Sequence, residues 1–418
     1  MKIQDSASLT EAEPLLDLAA LRADTPGCDS VIHFNNAGCG LTARPVLRAM
    51  LGHLELEAHI GGYEAAAVRE AEVRGFYTSL GELIGSSPDT IAFAASATHA
   101  YAKALSAIDF APGDVVLTTR NDFISNQIAF LALRRRLGVE IVHAPDLPDG
   151  SGVDVAAMAA LMRSRRPRLV AATHVPTNSG LVQPVAEIGR HSRELDLLYL
   201  VDACQSVGQL PVDVAEIGCD LLTATCRKFL RGPRGSGFLF VSERALRAGY
   251  EPQFIDMRGA RWTGPDQYRA VDTAARFEEW EFPYATVLGC AEAVRYALRV
   301  GVAPAGRRAM ALAARLRAGL GGLPGTRLLD GGRNPAALVT FAIEGWSARP
   351  FKAALDARGV NSALSYREFA QFDFGDKDVE WCLRLSPHYY NTEDEVDAVV
   401  ASVGELAAAG EQAAGGER

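Results

Sequence analysis

A chain of 418 residues is roughly two to three times the usual length of one domain, long enough to bury a large core. Hydrophobic residues make up 48% of it and charged residues 22%, which suits a folded globular protein and excludes a largely disordered one. Forty-two lysines and arginines face 51 aspartates and glutamates, a net charge of −9, so nothing is available to neutralise a phosphate backbone and nucleic acid is not expected as a partner. Apolar runs such as 197-LLYLV-201 and 337-ALVTFAI-343 fall far short of the ~20 residues of a membrane helix. The opening MKIQDSASLTEAEPLL lacks a basic start followed by an apolar stretch, so no secretory signal is expected. The seven cysteines, Cys28, Cys39, Cys204, Cys219, Cys226, Cys290 and Cys382, are scattered without a CxxC pair. Neither a metal site nor a disulfide framework is expected, and a reducing cytoplasm is the natural setting.

In chain order, short apolar strands alternate with helical patterns. The expected strands are 90-TIAFAAS-96, 114-DVVLTT-119, 139-VEIVHA-144, 168-RLVAATHV-175, 197-LLYLVD-202 and 236-SGFLFV-241. Helical segments between them include 98-THAYAKALSAI-108, 124-ISNQIAFLALRRRLG-138 and 184-PVAEIGRHSRELD-196. Strands apolar on both faces and separated by helices imply an α/β fold, a mostly parallel sheet covered by helices, with ligands beyond the strands' carboxyl ends. From about Gly301 the pattern changes. Helix 304–320, a Gly/Pro-rich break over 321–335, strand 337–343, helix 350–359, strand 381–386 and helix 392–406 read as a smaller α+β domain. The expected division is an N-terminal arm over 1–30, a large domain over 31–300 and a small domain over 301–418, with a fraying helix and tail over 405–418.

The segment from Leu197 to Val241 carries the chemistry. An apolar strand ends in Asp202, and the segment 223-TATCRKFLRGPRGSGFLFV-241 follows, with Lys228, 26 residues on from Asp202, between short polar residues and a Gly/Pro-rich turn. Taken singly, such a lysine is more often a surface group and such an aspartate a helix cap. Held together at a sheet's carboxyl edge, they suit pyridoxal phosphate: the lysine bonds to the aldehyde and the carboxylate keeps the pyridine nitrogen protonated.

Segment 201–241 resembles the class V aminotransferase family, the cysteine-desulfurase-like branch of fold-type I pyridoxal-phosphate enzymes. The resemblance rests on the Asp-x-x-Gln turn at 202–205, the Gly-Cys-Asp strand start at 218–220 and the Thr-x-Arg-Lys-Phe turn at 225–229, with weaker matches from about His33 to Asn391. It implies a seven-stranded sheet, Lys228 as the Schiff-base lysine, Asp202 as the pyridinium partner and Gln205 against the ring oxygen. In 95-ASATHA-100, the helix start at Ala97 and Thr98 would bind the phosphate, completed by Thr225 and Arg227. Phe123 would stack on the ring where relatives often carry histidine. Within 173-THVPTNSG-180, Thr177 or Asn178 would approach the ring oxygen, a choice the sequence leaves open. The match at 384-RLSPHYYNTEDEVD-397 nominates Arg384 for the substrate carboxylate, and 34-FNNAGCG-40 and 61-GGYEAA-66 nominate Asn36 and Tyr63 for the substrate side.

Cysteine desulfurases carry a nucleophilic cysteine on a small-domain loop, and the corresponding stretch here, 361-NSALSYREFAQFDFGDKD-378, has none. Tyr366 and Arg367 occupy it instead and are expected near the substrate's side chain, and Cys382 is expected as an inert strand thiol. The segments GGYEAA, DFISNQ and RKFLRGPRGSGF look most like a subgroup of specialised bacterial enzymes. It contains the ergothioneine-pathway C–S lyase, isopenicillin N epimerase-like proteins and the pyridoxal-phosphate enzymes of lincosamide antibiotic assembly. The resemblance implies cleavage of the C–S bond of an S-substituted L-cysteine by β-elimination, in antibiotic or thiol biosynthesis. Decarboxylating oxidative deamination of such a conjugate is the alternative, followed by epimerisation or transamination. It also implies a homodimer, with 276-RFEEWEFPYAT-286 reaching towards the partner's active site.

Overall fold

The computed structural model describes residues 16–414. Residues 1–15 of the expected arm and 415–418 of the expected tail lie outside the described residues. After a two-residue strand β1 (Ile32–His33), seven strands form the main sheet. They are β2 (Ile91–Ala94), β3 (Val115–Thr118), β4 (Glu140–His143), β5 (Leu169–Thr173), β6 (Tyr199–Asp202), β7 (Leu221–Thr225) and β8 (Gly237–Val241). Their order is β2-β8-β7-β6-β5-β3-β4; β8 is antiparallel to both neighbours and every other pairing is parallel. Six strands therefore end on one edge of the sheet. Strand β7 is as buried as its neighbours, although its sequence, LLTAT, gives a shorter apolar run than theirs.

Alternation along the strands fills two cores. Val201, Leu222 and Phe240 face one side, where helices Glu70–Ile84 and Tyr284–Val300 contribute Phe76, Leu80, Val287 and Val294. Leu200, Leu221 and Leu239 face the other, covered by helices Ala97–Ser106 and Ile124–Leu137 through Tyr101, Ala104 and Phe130. Burial on both faces is why these strands read as apolar runs rather than as a period of two.

A hairpin, β9 (Ala260–Gly264) and β10 (Gln267–Ala270), projects from this unit. The chain then turns at Gly301 (φ 83°) between helices Tyr284–Val300 and Val302–Gly321, and we propose the boundary between the two units there. The C-terminal unit is built from β11 (Thr326–Leu328), β12 (Val339–Ile343), β13 (Val360–Asn361), β14 (Ala363–Tyr366) and β15 (Trp381–Leu385). An antiparallel sheet of order β11-β12-β15-β14 packs on Leu312 and Leu316, Phe351 and Leu355, and Val399 and Val403 of three helices.

Two features differ from the sequence reading. The stretch 361–378, expected as a loop, holds β14, a short turn and helix Gln371–Lys377. An edge strand reading Ala-Leu-Ser-Tyr buries too little for a continuous apolar run, which hides it. Strand β1, within the range expected for the large domain, pairs in parallel with β13, and Phe34 enters the C-terminal core. The units are also keyed together at Gly306, where a Cβ would stand 1.9 Å from the Gln209 carbonyl oxygen, so only glycine lets that helix reach the turn after β6. Among the described residues no helix is long and apolar enough to cross a membrane.

Candidate active site

A cavity of about 270 Å³ opens at the carboxyl ends of β2, β5, β6 and β7. Ala97, Thr98, Phe123, Thr177, Asp202, Gln205, Thr225, Arg227 and Lys228, all expected from sequence, line it together. Arg384 reaches it through Thr177, whereas Asn178, Asn36 and Tyr63 are not among its lining residues.

Lys228 sits in the turn after β7 and is only 8% exposed. Its carbonyl accepts from the Arg231 amide at 2.9 Å, and Gly232 N donates to the Cys226 carbonyl at 2.7 Å. Arg231 adopts φ 62°, a left-handed conformation strained for a side chain with a Cβ. Its guanidinium holds it there, donating to Tyr389 Oη at 2.5 Å, Thr25 Oγ1 at 2.6 Å and the Leu41 carbonyl at 2.8 Å. Burial lowers the Lys228 ammonium to about 8, so a large share of neutral amine exists near physiological pH. Its Nζ lies 6.0 Å from the centre of the Phe123 ring.

Asp202 closes β6 and is 4% exposed. The Cys204 amide donates to its Oδ1 at 2.9 Å and Asn126 Nδ2 to its Oδ2 at 3.0 Å. Helix Ala97–Ser106 also begins at the cavity wall, capped by Ser96 Oγ, which accepts from His99 N at 3.0 Å. Gly237 allows β8 to approach it, since a Cβ there would meet Ala97 N at 2.8 Å. Thr225 Oγ1 donates to the Ser236 carbonyl at 3.1 Å, and Arg227 Nη1 donates to the Gly38 carbonyl. Burial, then Arg234, lowers the Arg227 pKa. Arg234 and Ser236 line the cavity too, and sequence reasoning did not single them out.

Gln205 Nε2 donates to Thr177 Oγ1 at 2.9 Å and to the Ala37 carbonyl at 3.0 Å. Thr177 also accepts from Arg384 Nη1, and Arg384 Nη2 lies 3.4 Å from Asn35 Oδ1. Arg384 is buried on β15 without a carboxylate partner among the described residues, and burial lowers its pKa to about 10.

The sequence left Thr177 and Asn178 open; Thr177 faces the cavity, while Asn178 Oδ1 accepts from Ser365 Oγ of β14 at 2.6 Å. Asn36 does not line the cavity, because its amide is consumed by the Ser386 carbonyl at 2.7 Å, the His33 carbonyl at 3.2 Å and the Tyr390 hydroxyl. Tyr63 is 77% exposed on helix Gly62–Val68, away from the cavity walls. Tyr366 packs edge-on against Phe369 and Arg367 pairs with Glu380 at 2.5 Å, so neither lines the cavity. Burial pushes the Cys382 thiol up to about 12, and burial with Asp202 nearby holds the Cys204 thiol well above its ordinary range.

The donor set fits pyridoxal phosphate. A buried carboxylate, a helix N-terminus with hydroxyl and guanidinium groups, and a buried amine share the cavity's walls. Gln205 Oε1 and Arg384 Nε are buried without a partner among the described residues, as expected of groups completed by a cofactor and a substrate.

The family model described as Aminotransferase class-V matches residues 32–399. A probable cysteine desulfurase of Methanothermobacter thermautotrophicus is 27% identical over 93% of this chain and 98% of its own length. A probable hercynylcysteine sulfoxide lyase of Mycobacterium tuberculosis is 28% identical over 88% of each chain. Among solved structures, the apo cysteine desulfurase from Thermococcus onnurineus superposes with a TM-score of 0.86 at 24% identity, covering 95% of this chain and all of that one. The cystine C–S lyase C-DES with its product cysteine persulfide gives 0.81 at 23% identity, covering 91% of this chain and 99% of that one. The fold is that of fold-type I pyridoxal-phosphate enzymes and the cofactor is pyridoxal phosphate. The chain belongs to the class-V aminotransferase family and is a pyridoxal-phosphate-dependent lyase.

Proposed function

We propose that the enzyme cleaves the C–S bond of an S-substituted L-cysteine by β-elimination, with water, to a thiol, pyruvate and ammonia. The carrying observation is a cavity with a buried amine on its walls, a buried arginine bonded to its lining residue Thr177, and a single lining thiol, Cys204, among the described residues. Cys204 and Cys382, near that cavity, are held protonated, and segment 361–378 folds as strand and helix without a cysteine. Persulfide transfer needs a thiolate nucleophile, so elimination is favoured. The relatives named as a sulfoxide lyase and as a C–S lyase support the same reading.

When bound, the cofactor supplies an electron sink for the substrate's Cα. The residues around it do the rest. Thr98, Thr225, Arg227 and the amides at Ala97 would hold the phosphate, Asp202 would keep the ring nitrogen protonated, and Gln205 with Thr177 would bind the ring oxygen. Lys228 anchors the cofactor and, once a substrate amine replaces it, its Nζ takes the Cα proton. Arg384 grips the α-carboxylate with both Nη atoms. Arg384→Leu is expected to raise KM about 10- to 150-fold, the loss of a charge-assisted contact of about 1.5–3 kcal/mol, with cofactor content unchanged. A KM within about threefold of the wild type would take the carboxylate away from this arginine.

The test of the reaction is product analysis with a panel of S-substituted cysteines. Pyruvate and free thiol in equal amounts are expected. Carbon dioxide and an aldehyde without pyruvate would replace elimination by decarboxylating oxidative deamination, and a recovered D-amino acid would replace it by epimerisation. The proposed cytoplasmic setting rests on the scattered cysteines, and the place in specialised bacterial metabolism on the resemblance.

We also propose a homodimer. Leu47, Leu51 and Leu54 form an exposed apolar stripe on helix Arg44–Ile60, and Trp262 and Phe254 are more than four-fifths exposed. Most of 276–286 is built into its own chain: Glu278 accepts from the Phe93 amide at 2.7 Å, Tyr77 Oη at 2.6 Å and Arg258 Nε at 2.6 Å. The exposed tip at Glu279–Glu281, with Trp280, is the part left to face a partner. A single-chain mass by light scattering would overturn the dimer.

A further inference from the structure

Behind Asp202 lies a second buried acid that the reaction as described does not use. Asp122, 6% exposed, precedes Phe123, the residue whose ring lines the cavity. It takes part in no ion pair among the described residues, and its two oxygens serve only neutral donors. Phe123 N at 2.7 Å, Asn126 Nδ2 at 3.0 Å and the Thr173 hydroxyl all donate to Oδ1. Gln127 Nε2 donates to Oδ2 at 2.7 Å.

The amide of Asn126 joins the two acids. Its nitrogen stands 3.0 Å from Asp122 Oδ1 and 3.0 Å from Asp202 Oδ2. An amide NH2 has two hydrogens and no lone pair to offer, so each facing oxygen is an acceptor without a proton. Burial and then Asp202 raise the Asp122 pKa, and the Thr173, Asn126 and Gln127 donors oppose that rise by favouring its ionised form. Burying a charge is costly unless an opposite charge is near. Neither acid has a salt-bridging cation among the described residues; Asp202 lines the cavity, and Asp122 is joined to it through Asn126.

We infer that Asp122 is a positioning residue that acts through Asn126 on Asp202, fixing that carboxylate's orientation and adding a second negative charge that keeps the cofactor's ring nitrogen protonated. Every element packed around Asp122 is consistent with this. Strand β5 contributes Thr173, a neutral hydroxyl donor. Helix Ala97–Ser106 contributes Tyr101, whose phenol is raised by burial and then by both acids, and so stays neutral. From β4, His143 meets Gln127 Oε1 at 2.9 Å and is pushed towards its neutral form by burial and by Arg120. The Lys228 ammonium feels Asp202 from the far side of the cavity. No neighbour supplies a fixed positive charge to Asp122, which leaves the ring nitrogen as the charge the pair stabilises. The inference rests on the cofactor and not on which substrate bond is broken, so failure of the elimination reading leaves it standing.

The test is Asp122→Asn holoenzyme, which keeps the shape and removes the charge. Removing one nearby anion is expected to lower the pH midpoint of the bound cofactor's visible absorption by about one unit or more. The apoenzyme's affinity for pyridoxal phosphate is expected to fall in parallel, and Asp122→Glu is expected to recover part of the shift. A residue that only caps helix Ile124–Leu137 would lower the melting temperature and leave the midpoint where it was, and that outcome in a folded, loaded variant overturns the inference. A second measurement needs no variant: in wild-type enzyme loaded with cofactor isotopically labelled at the ring nitrogen, NMR is expected to show that nitrogen protonated from about pH 6 to about pH 10. Loss of the proton within that range overturns the inference equally.

Discussion

Lys228→Ala is expected to abolish the visible absorption band of the holoenzyme and to lower turnover by about 10⁴-fold or more, the upper end of what a positioned base contributes. Lys228 is the one lysine among the described residues that line the cavity, so no neighbouring amine can replace it. The variant is expected to fold, because the lost group is a buried amine whose charge the site already disfavours. Its turn is held by backbone bonds and by Arg231, which the substitution leaves in place. The sign of the pH dependence follows from the lowered pKa. Only neutral amine attacks an aldehyde, and a pKa of about 8 places that form above pH 8. The rate at which wild-type apoenzyme takes up pyridoxal phosphate is therefore expected to rise with pH and level off above about 8. A retained band in the alanine variant, or an uptake rate that falls with rising pH, would move the cofactor's anchor to another residue.

The parts of this site that were legible in the sequence are those written within a few residues. Asp202 ends an apolar strand, Gln205 follows three residues on, and Lys228 stands in a Gly/Pro-rich turn. Strand ends and tight turns are fixed locally, and an open parallel sheet fixes which edge they share. Phe123 was nominated by the resemblance, and its ring lines the cavity 6.0 Å from Lys228 Nζ. What failed was orientation set from a distance. Nothing near Asn36 shows that Ser386 and Tyr390, some 350 residues later, will take up its amide. Tyr63 sits in an apolar stretch, but its helix turns that ring to solvent. The Asp122–Asn126–Asp202 chain was invisible for the same reason: its first bond spans only four residues, but its second joins the helix after β3 to the end of β6, 76 residues away.

The second large effect belongs to Asp202→Asn, and its character differs from that of the lysine variant. The substitution keeps the shape and leaves Lys228 free to hold the cofactor, so the absorption band is expected to persist. What changes is the charge at the ring nitrogen. The Cys204 amide and Asn126 Nδ2 donate to the two carboxylate oxygens of Asp202. An asparagine can satisfy only one of them with its oxygen, so it either opposes a second donor or turns its own NH2 towards the ring. In both cases the ring nitrogen loses the partner that holds its proton, and the sink for electrons from Cα weakens. Removing a charge-stabilising group from a dry, preorganised site costs about 10²–10³-fold in kcat. That loss is expected here, with KM nearly unchanged because Arg384, not Asp202, holds the substrate. The measurement is kcat at saturating substrate with cofactor content checked by absorbance. Because Asp122 remains, the variant keeps one of the two buried anions. Asp202→Asn is thus expected to be more active than Asp202→Asn combined with Asp122→Asn, and the double variant is expected to fall short of the product of the two single losses. Equal activities for the single and double variants would overturn the second negative charge assigned to Asp122. A kcat within about threefold of the wild type for Asp202→Asn would mean that the ring nitrogen does not depend on this carboxylate, and the assignment of the site's polarity would have to be reversed.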